Sequence, residues 1–556
     1  MSMEKIKSKH VSIHSNIILY TIAFILLALI DWTRGSQNGD VWAFAVNCTG
    51  IIMTVIMFIP HFRKEKQSSR NYIHYYIWIG IWFIGSIIGY VIWYYNPGRV
   101  FMLQYLSGAI NAGCLGVIGI FLWERRYLQE GISALIKKPL TIGWIILAVL
   151  MVLSPGREIW PLWFLVMFGF FYLFPIEVEE IHSLWKGMAN GIIIAFFIIQ
   201  TFAYGFRPYD EVRYKGAFSN CNMNALFYLI TYVMVLFRLH LIKLEKRDDN
   251  TPANKVIVKI FLFVLAGGLL SFIFFTIGRT ALIVAAAITL IYEIITMLFI
   301  YKESVKKLII QWFLLGVCAI FTFPVVYLTI RYLPGILHRP VWFEGEYHVE
   351  RVHSYDPIDS EHYVSFEEFW EAAVGRLDIN FILNSVSSVG RLKVYAASEE
   401  FSSEEFSEEV ETKEYLLTGD DVENSMKIRR EIYKLYIRDL NWRGHAITDG
   451  YYDITELYHA WHAQNFFLQM AYVYGIPAGL FSIILSLVLG FIIIRKFFAD
   501  VSQTDMLVTL LIWVVFMGYG LMECVWNPGQ LILFLLFFTQ KAYRINGLTE
   551  KKIIRE

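Results

Sequence analysis

From Val256 to Ile300 the chain reads VIVKIFLFVLAGGLLSFIFFTIGRTALIVAAAITLIYEIITMLFI. Two apolar runs, 256–276 and 280–300, are each long enough for a bilayer-spanning helix, which needs about 20 mostly apolar residues. Only Thr276-Ile277-Gly278-Arg279-Thr280 joins them. So short a connection predicts a tight helical hairpin with Arg279, a strongly hydrated charge, at the membrane surface. A segment in lipid must satisfy its own backbone hydrogen bonds, so both runs are expected to be helices and not open strands.

The same reading extends outward from this hairpin. Hydrophobic residues make up 57% of the 556 residues, charged residues 17%, and mean hydropathy is +0.50, which excludes an ordinary soluble domain. Spans near 14–30, 41–60, 72–94, 100–123, 140–153, 160–175, 189–205, 222–241, 256–276, 280–300, 308–330, 464–494, 506–520 and 525–540 give about fourteen helices. The expected fold is an all-α polytopic membrane protein. Lys5, Lys7 and Lys9 precede the first run as in a signal peptide. However, Asp31-Trp32-Thr33-Arg34 stands where a small-residue cleavage site belongs, so this is read as an uncleaved first helix. Cys48, Cys114, Cys221, Cys318 and Cys524 are scattered without CxxC spacing, which points to neither a disulfide framework nor structural zinc. A formal net charge of zero argues against nucleic acid as a partner.

Orientation follows from the connections. Lys and Arg gather at the N-terminus, at 63–70, 125–138, 238–255 and 302–307, at Arg495-Lys496 and in the tail, with 176–188 as the exception. The alternate connections are poorer in them, so both termini are expected in the cytoplasm. One long hydrophilic loop then lies outside, dividing the chain into a helical bundle at 1–330, an acidic extracytoplasmic loop at 331–463, and further helices with a tail at 464–556. Within the loop, 365–375 and 426–440 have helical patterning, the latter through Ile428, Ile432, Leu435, Tyr436 and Leu440. The acidic run from Glu399 to Glu423 reads as a solvated face or partly disordered insert, not a metal site.

Outside cations run against the trend of Lys and Arg and are therefore informative. Arg207, Arg213, Lys215 and Arg279 stand on the outer side, where they either snorkel and pair with a carboxylate such as Asp210 or serve an anionic ligand. His459, His462 and Asn465 have the i, i+3, i+6 spacing of one helix face, with Gln469 one turn further. At the N-terminal end of a span such a face meets the positive helix pole, a natural place for phosphate. A neutral imidazole there can take a proton near physiological pH. The alternative is an interfacial belt of His and Trp461 at headgroup level. Glu293, inside a span, is read as a structural hydrogen-bonding group.

His462-Ala463-Gln464-Asn465-Phe466-Phe467-Leu468-Gln469 followed by Gly475-Ile476-Pro477-Ala478-Gly479 resembles the His-x-x-Asn-x-x-Leu-Gln…Gly-Ile-Pro-x-Gly signature of the O-antigen ligase and O-antigen polymerase superfamily. Gly216-Ala217-Phe218-Ser219-Asn220-Cys221-Asn222 is similar to its Gly-x-Phe-x-Asn-Pro-Asn, with Cys221 in place of Pro. Gly278-Arg279-Thr280-Ala281-Leu282 is similar to its Ser-Arg-Ser-Ala-Leu, and Gly390-Arg391-Leu392-Lys393-Val394-Tyr395 to its Gly-Arg-x-x-x-Trp. The four segments keep the family's order over about residues 200–490. Gln464 stands where the family often has His, so the base would be His462 or His459.

This resemblance implies an integral-membrane (GT-C type) glycosyltransferase of the bacterial plasma membrane. It would move a glycan from undecaprenyl diphosphate to an acceptor hydroxyl on a glycan or lipid-linked acceptor, without nucleotide sugar, cofactor or metal. Arg279 and Arg391 would hold the diphosphate, and His462 would be the general base. Arg213, Asn220, Asn222, Asn465 and His459 would contact substrate. The other classes open to such a chain are a flippase for lipid-linked oligosaccharide and a non-enzymatic membrane scaffold. A flippase should show two related halves, which this sequence lacks.

Overall fold

The computed structural model describes residues 3–33, 51–52, 73–96, 102–124, 139–154, 178–206, 208–210, 213–218, 220–245, 253–337, 341–344, 352–354, 366–376, 425–445, 452–453, 459–460, 462–499, 504–525, 530–536 and 539. It is a helical membrane protein. Seven of its helices are long and apolar enough to cross a bilayer, and three shorter apolar helices accompany them. The expected spans 41–60 and 160–175 fall almost wholly outside the described residues, and 525–540 is described only in part.

The first helices are α1 (Met3–Thr33), α2 (Ile73–Tyr95), α3 (Met102–Glu124), α4 (Pro139–Leu153) and α5 (Val178–Phe206). Small residues govern their packing. Gly187 and Gly191, four apart on α5, bring its backbone against α1: a Cβ added to them would lie 2.4 Å from Tyr20 Cβ and 2.6 Å from the Thr21 carbonyl. This close Gly-xxx-Gly approach is how helices associate in lipid, where burial of apolar area gives no drive. On α2, Trp78 and Trp82 reach across to α3 and donate to the Gly113 and Ala109 carbonyls at 3.2 and 2.8 Å.

The centre is α6 (Cys221–Glu245), whose apolar window is 94% buried and which packs against α5, α7, α8 and α14. The hairpin of α7 (Ala253–Phe275) and α8 (Arg279–Glu293) follows, and a π-helical segment, Ile294–Ile300, continues α8. Then come α9 (Val305–Ile336), α10 (Phe366–Arg376), α11 (Ser425–Arg438), α12 (Phe466–Tyr474), α13 (Ile476–Ala499) and α14 (Thr504–Gly520).

Two features depart from the sequence expectation. The expected span 464–494 is two helices. Gly475, at φ 95° and ψ 157°, breaks it, and Pro477 sits in the first turn of α13, where a missing N–H costs nothing. The chain is also not purely α. Strands β1 (Pro208–Asp210), β2 (Arg213–Tyr214), β3 (Val341–Glu344) and β4 (Val352–Ser354) form a sheet in the order β2-β1-β3-β4, with β1 and β3 parallel. A second, two-stranded sheet pairs β5 (Tyr452–Asp453) with β6 (His459–Ala460). The first sheet gathers the ends of α5, α6 and α9 at the end of the bundle where α7 turns into α8.

Both loop helices form where the patterning put them. Ile428, Ile432 and Tyr436 of α11 are buried. Phe369 of α10 packs its ring, tilted, against Phe275 at 4.9 Å and so lies over the α7–α8 turn.

Candidate functional site

The α7–α8 turn is as tight as its sequence requires. Thr276 and Ile277 form it, with Ile277 N–H donating to the Phe274 carbonyl at 2.9 Å. Ile277 has φ 48°, an outlying conformation for a β-branched residue, held by burial of its side chain. Gly278 is the N-cap of α8 and Arg279 its first residue, half-buried.

Arg213, on β2, is tied to this turn. Its Nε donates to the Thr276 carbonyl at 2.9 Å and its Nη2 to Asn222 Oδ1 at 2.6 Å. Asn222 is in turn held by Asn220, the N-cap of α6, whose Oδ1 accepts Asn222 N–H at 2.7 Å. Asn222 Nδ2 donates to Glu523 Oε1 at 2.7 Å, and Arg429 Nη2 reaches the same oxygen at 3.3 Å. Arg429 Nε donates to Gln464 Oε1 at 3.1 Å, beside Asn465. Two of the four motif segments, through Asn220 and Asn222 and through Gln464, thus join one polar network, and Arg213 carries it to the Thr276 carbonyl, just ahead of the Gly278–Leu282 segment.

The fourth segment, with Arg391, lies outside the described residues, as do Arg207 and the acidic run. Lys215 is buried in the turn after β2.

The His/Asn segment is not one helix face. His459 is in β6, opposite Asp453, and His462 is in a bend. Gln464 takes φ 47°, and α12 begins only after Asn465. The cause is capping: Asn465 Oδ1 accepts Leu468 N–H at 3.0 Å, which starts the helix there. Asn465 Nδ2 donates to the Leu521 carbonyl at 3.0 Å, joining α12 to the segment after α14. His462 Nδ1 accepts Gln464 N–H at 3.2 Å. A neutral ring in that state carries its hydrogen on Nε2, so Nε2 presents a donor.

Sequence reasoning missed Arg429, Tyr433 and Glu523. Tyr433 OH shares its one hydrogen between the Gln464 and Leu521 carbonyls, at 3.3 and 3.4 Å. Burial pushes this phenol up, so it stays a protonated donor. The available signals were faint. Arg429 and Tyr433 are four apart, beside the apolar stripe of α11. Glu523 is a carboxylate in a short connection between apolar segments, where charge is costly and therefore informative.

Beside the turn lies an apolar groove of about 760 Å³ between α7, α8 and α9. It begins under Phe274, Leu282 and Trp370 and runs along α8 to Leu290 and along α9 to Trp312. Its mouth is one helical turn from Arg279.

Glu293 lies beyond its far end, buried, with Oε1 accepting from Gln311 Nε2 at 2.8 Å. It ties α8 to α9, the structural role its position implied. Among the described residues no group of three or more His, Cys, Asp or Glu side chains is arranged to hold a metal ion. No family model and no curated protein matches the chain.

Proposed function

We propose that this protein transfers a glycan from a polyprenyl diphosphate to an acceptor hydroxyl, at the bundle end that carries the α7–α8 turn. The observation that carries the reading is adjacency: an apolar groove ends one helical turn from Arg279, at the turn whose Thr276 carbonyl Arg213 holds. A polyprenyl diphosphate needs both, an oily slot for its tail and guanidinium forks for its phosphates. The motif resemblance supports it, because Asn222 and Gln464, from two of its segments far apart in the chain, join the network that reaches this turn. The distribution of Lys and Arg favours this end facing outward, with both termini in the cytoplasm.

In this reading the tail lies in the groove between α7, α8 and α9. Arg279 and Arg213 hold the diphosphate, with Arg391 as a further ligand. The acceptor oxygen bonds to the anomeric carbon as its proton passes to the base. The bond from that carbon to the diphosphate breaks, and the electron pair departs on the diphosphate, where the arginines neutralise it. His462 serves as base once its Nδ1 is released from Gln464 N–H. The product is a longer or newly attached surface glycan, as in polymerases and ligases of the superfamily it resembles.

The test is reconstitution in vesicles with an undecaprenyl-diphosphate oligosaccharide and a glycan acceptor. A new glycosidic bond with release of undecaprenyl diphosphate is expected. Passage of the intact donor across the bilayer with no new bond would favour transport instead. Gly316 lines the groove and has no atom within 4 Å of an added Cβ. Gly316→Leu should therefore fill the groove without disturbing the fold. It should impair the long-chain donor and spare one with a tail of two isoprene units.

A further inference from the structure

Arg429 belongs to none of the sequence motifs, yet its guanidinium reaches the centre of the network. It spreads over three acceptors: Gln464 Oε1 at 3.1 Å, Met522 Sδ at 3.8 Å and Glu523 Oε1 at 3.3 Å. None of these contacts is bidentate, one acceptor is a thioether, and the carboxylate contact is longer than the about 2.7–2.9 Å of a strong charge-assisted bond. Arg213 is likewise held by neutral oxygens, those of Thr276 and Asn222.

Two guanidiniums in this network thus share one carboxylate oxygen, Arg429 directly and Arg213 through Asn222. Glu523 is nearly covered, with 5% of its side chain exposed, against 17% for Arg429. Arg429 is the more reachable partner. Its helix does not depend on the ion pair for its seat, because Tyr433 hydrogen-bonds the backbone on both sides of it. The Arg429 side chain can therefore exchange partners while α11 stays in place.

We propose that Arg429 is a ligand of the donor diphosphate, and that Glu523 is an internal anion that competes with the phosphates for it. This rests on the donor reading above. A phosphate offers the planar, bidentate match that Glu523 does not, and the fork turns to it. Glu523 keeps its bond from Asn222 and so continues to hold Arg213 beside the turn. It sets the selectivity of the site, since an anion with a single weak charge cannot displace it.

The experiment measures binding of undecaprenyl diphosphate and of inorganic pyrophosphate to wild type, Glu523→Gln and Arg429→Ala in nanodiscs. Gln keeps an oxygen for Asn222 and Arg429 but removes the competing charge. Glu523→Gln should bind both probes about tenfold more tightly, and Arg429→Ala about tenfold more weakly. A purely structural role for Glu523 predicts the opposite sign for the first variant. The double variant should show no gain over Arg429→Ala. If Glu523→Gln binds no tighter, or Arg429→Ala binds as wild type does, the proposal is wrong. If Glu523→Gln does not fold, Arg429→Ala decides alone. If wild type binds neither probe, the donor reading itself fails.

Discussion

Replacing Gly475 by Ala tests the joint on which the site is mounted. Gly475 has φ 95° and ψ 157°, a region open almost only to glycine, and holding another residue there costs about 1–3 kcal/mol. A Cβ at this position would lie 2.4 Å from the Trp442 carbonyl oxygen and 3.0 Å from its carbon. Those are backbone atoms, so no side chain can rotate away. The segment 441–445 must lift, which breaks the bonds from Ile476 N–H to Asn441 O and from His445 N–H to Tyr472 O, both 3.0 Å. Each is worth about 1 kcal/mol, giving a local loss of about 3–5 kcal/mol. Release by local lifting should be easier than global unfolding, so the loss should appear in this segment first.

Amide hydrogen exchange of the purified protein, followed on peptides covering 439–448 and 470–480, is the assay. The expected acceleration runs from about 10²-fold to about 4 × 10³-fold, at about 1.4 kcal/mol per factor of ten. Gly80→Ala, with nothing within 4 Å of the new Cβ, is the control and should leave exchange unchanged. Unaltered exchange in Gly475→Ala would mean that the break between α12 and α13 is not set by this glycine.

Arg279→Ala should insert and fold but make no glycan product, and Arg279→Lys should also be impaired because an ammonium cannot pair bidentately; normal product from either would remove Arg279 from the site. His462→Ala should slow turnover by about 10²–10⁴-fold, and full activity in this variant would end its assignment as base. The Asp439 carboxylate is held below its ordinary 3.8 by the hydrogen bond from Arg438, and it also accepts Tyr452 OH at 2.5 Å. A depressed value means its contribution is present above 3.8 and lost as pH falls through the lower folded value, so proteolysis of 439–453 should rise only in strong acid. In Asp439→Asn the profile should be flat, and an unchanged acid response would assign it to another group. Deleting 398–425 should reduce turnover less than losing His462, because loop length changes cost little entropy; complete loss at normal expression would place the acidic run at the acceptor.

The parts of the fold that were legible were those written locally. Apolar runs gave the seven long apolar helices among the described residues, and the short link around Gly278 gave the hairpin because so few residues leave room only for a tight turn. Ile428, Ile432 and Tyr436 gave α11 because burial follows helical period. The break at Gly475 was misread because apolar residues continue on both sides, and hydropathy does not register a backbone angle. The face supposed to hold His459, His462 and Asn465 failed for a related reason. Spacing assumes a helix already running, and the Asn465 cap starts it only at Phe466. The meeting of Asn222 with Glu523, or of Arg429 with Gln464, joins residues far apart in sequence. No local pattern carries that information.

The seam between α1 and α5 bears on how the protein is built. Its fit depends on backbone contact at Gly187 and Gly191, which side chains elsewhere on α1 cannot replace. During synthesis α1 enters the membrane long before α5 exists, and must wait in lipid as a lone, self-sufficient helix. The α1–α5 seam can then close only after α5 has entered the membrane, by a lateral docking of two finished helices. A copy of α1 supplied as a separate peptide should complete a chain that lacks it.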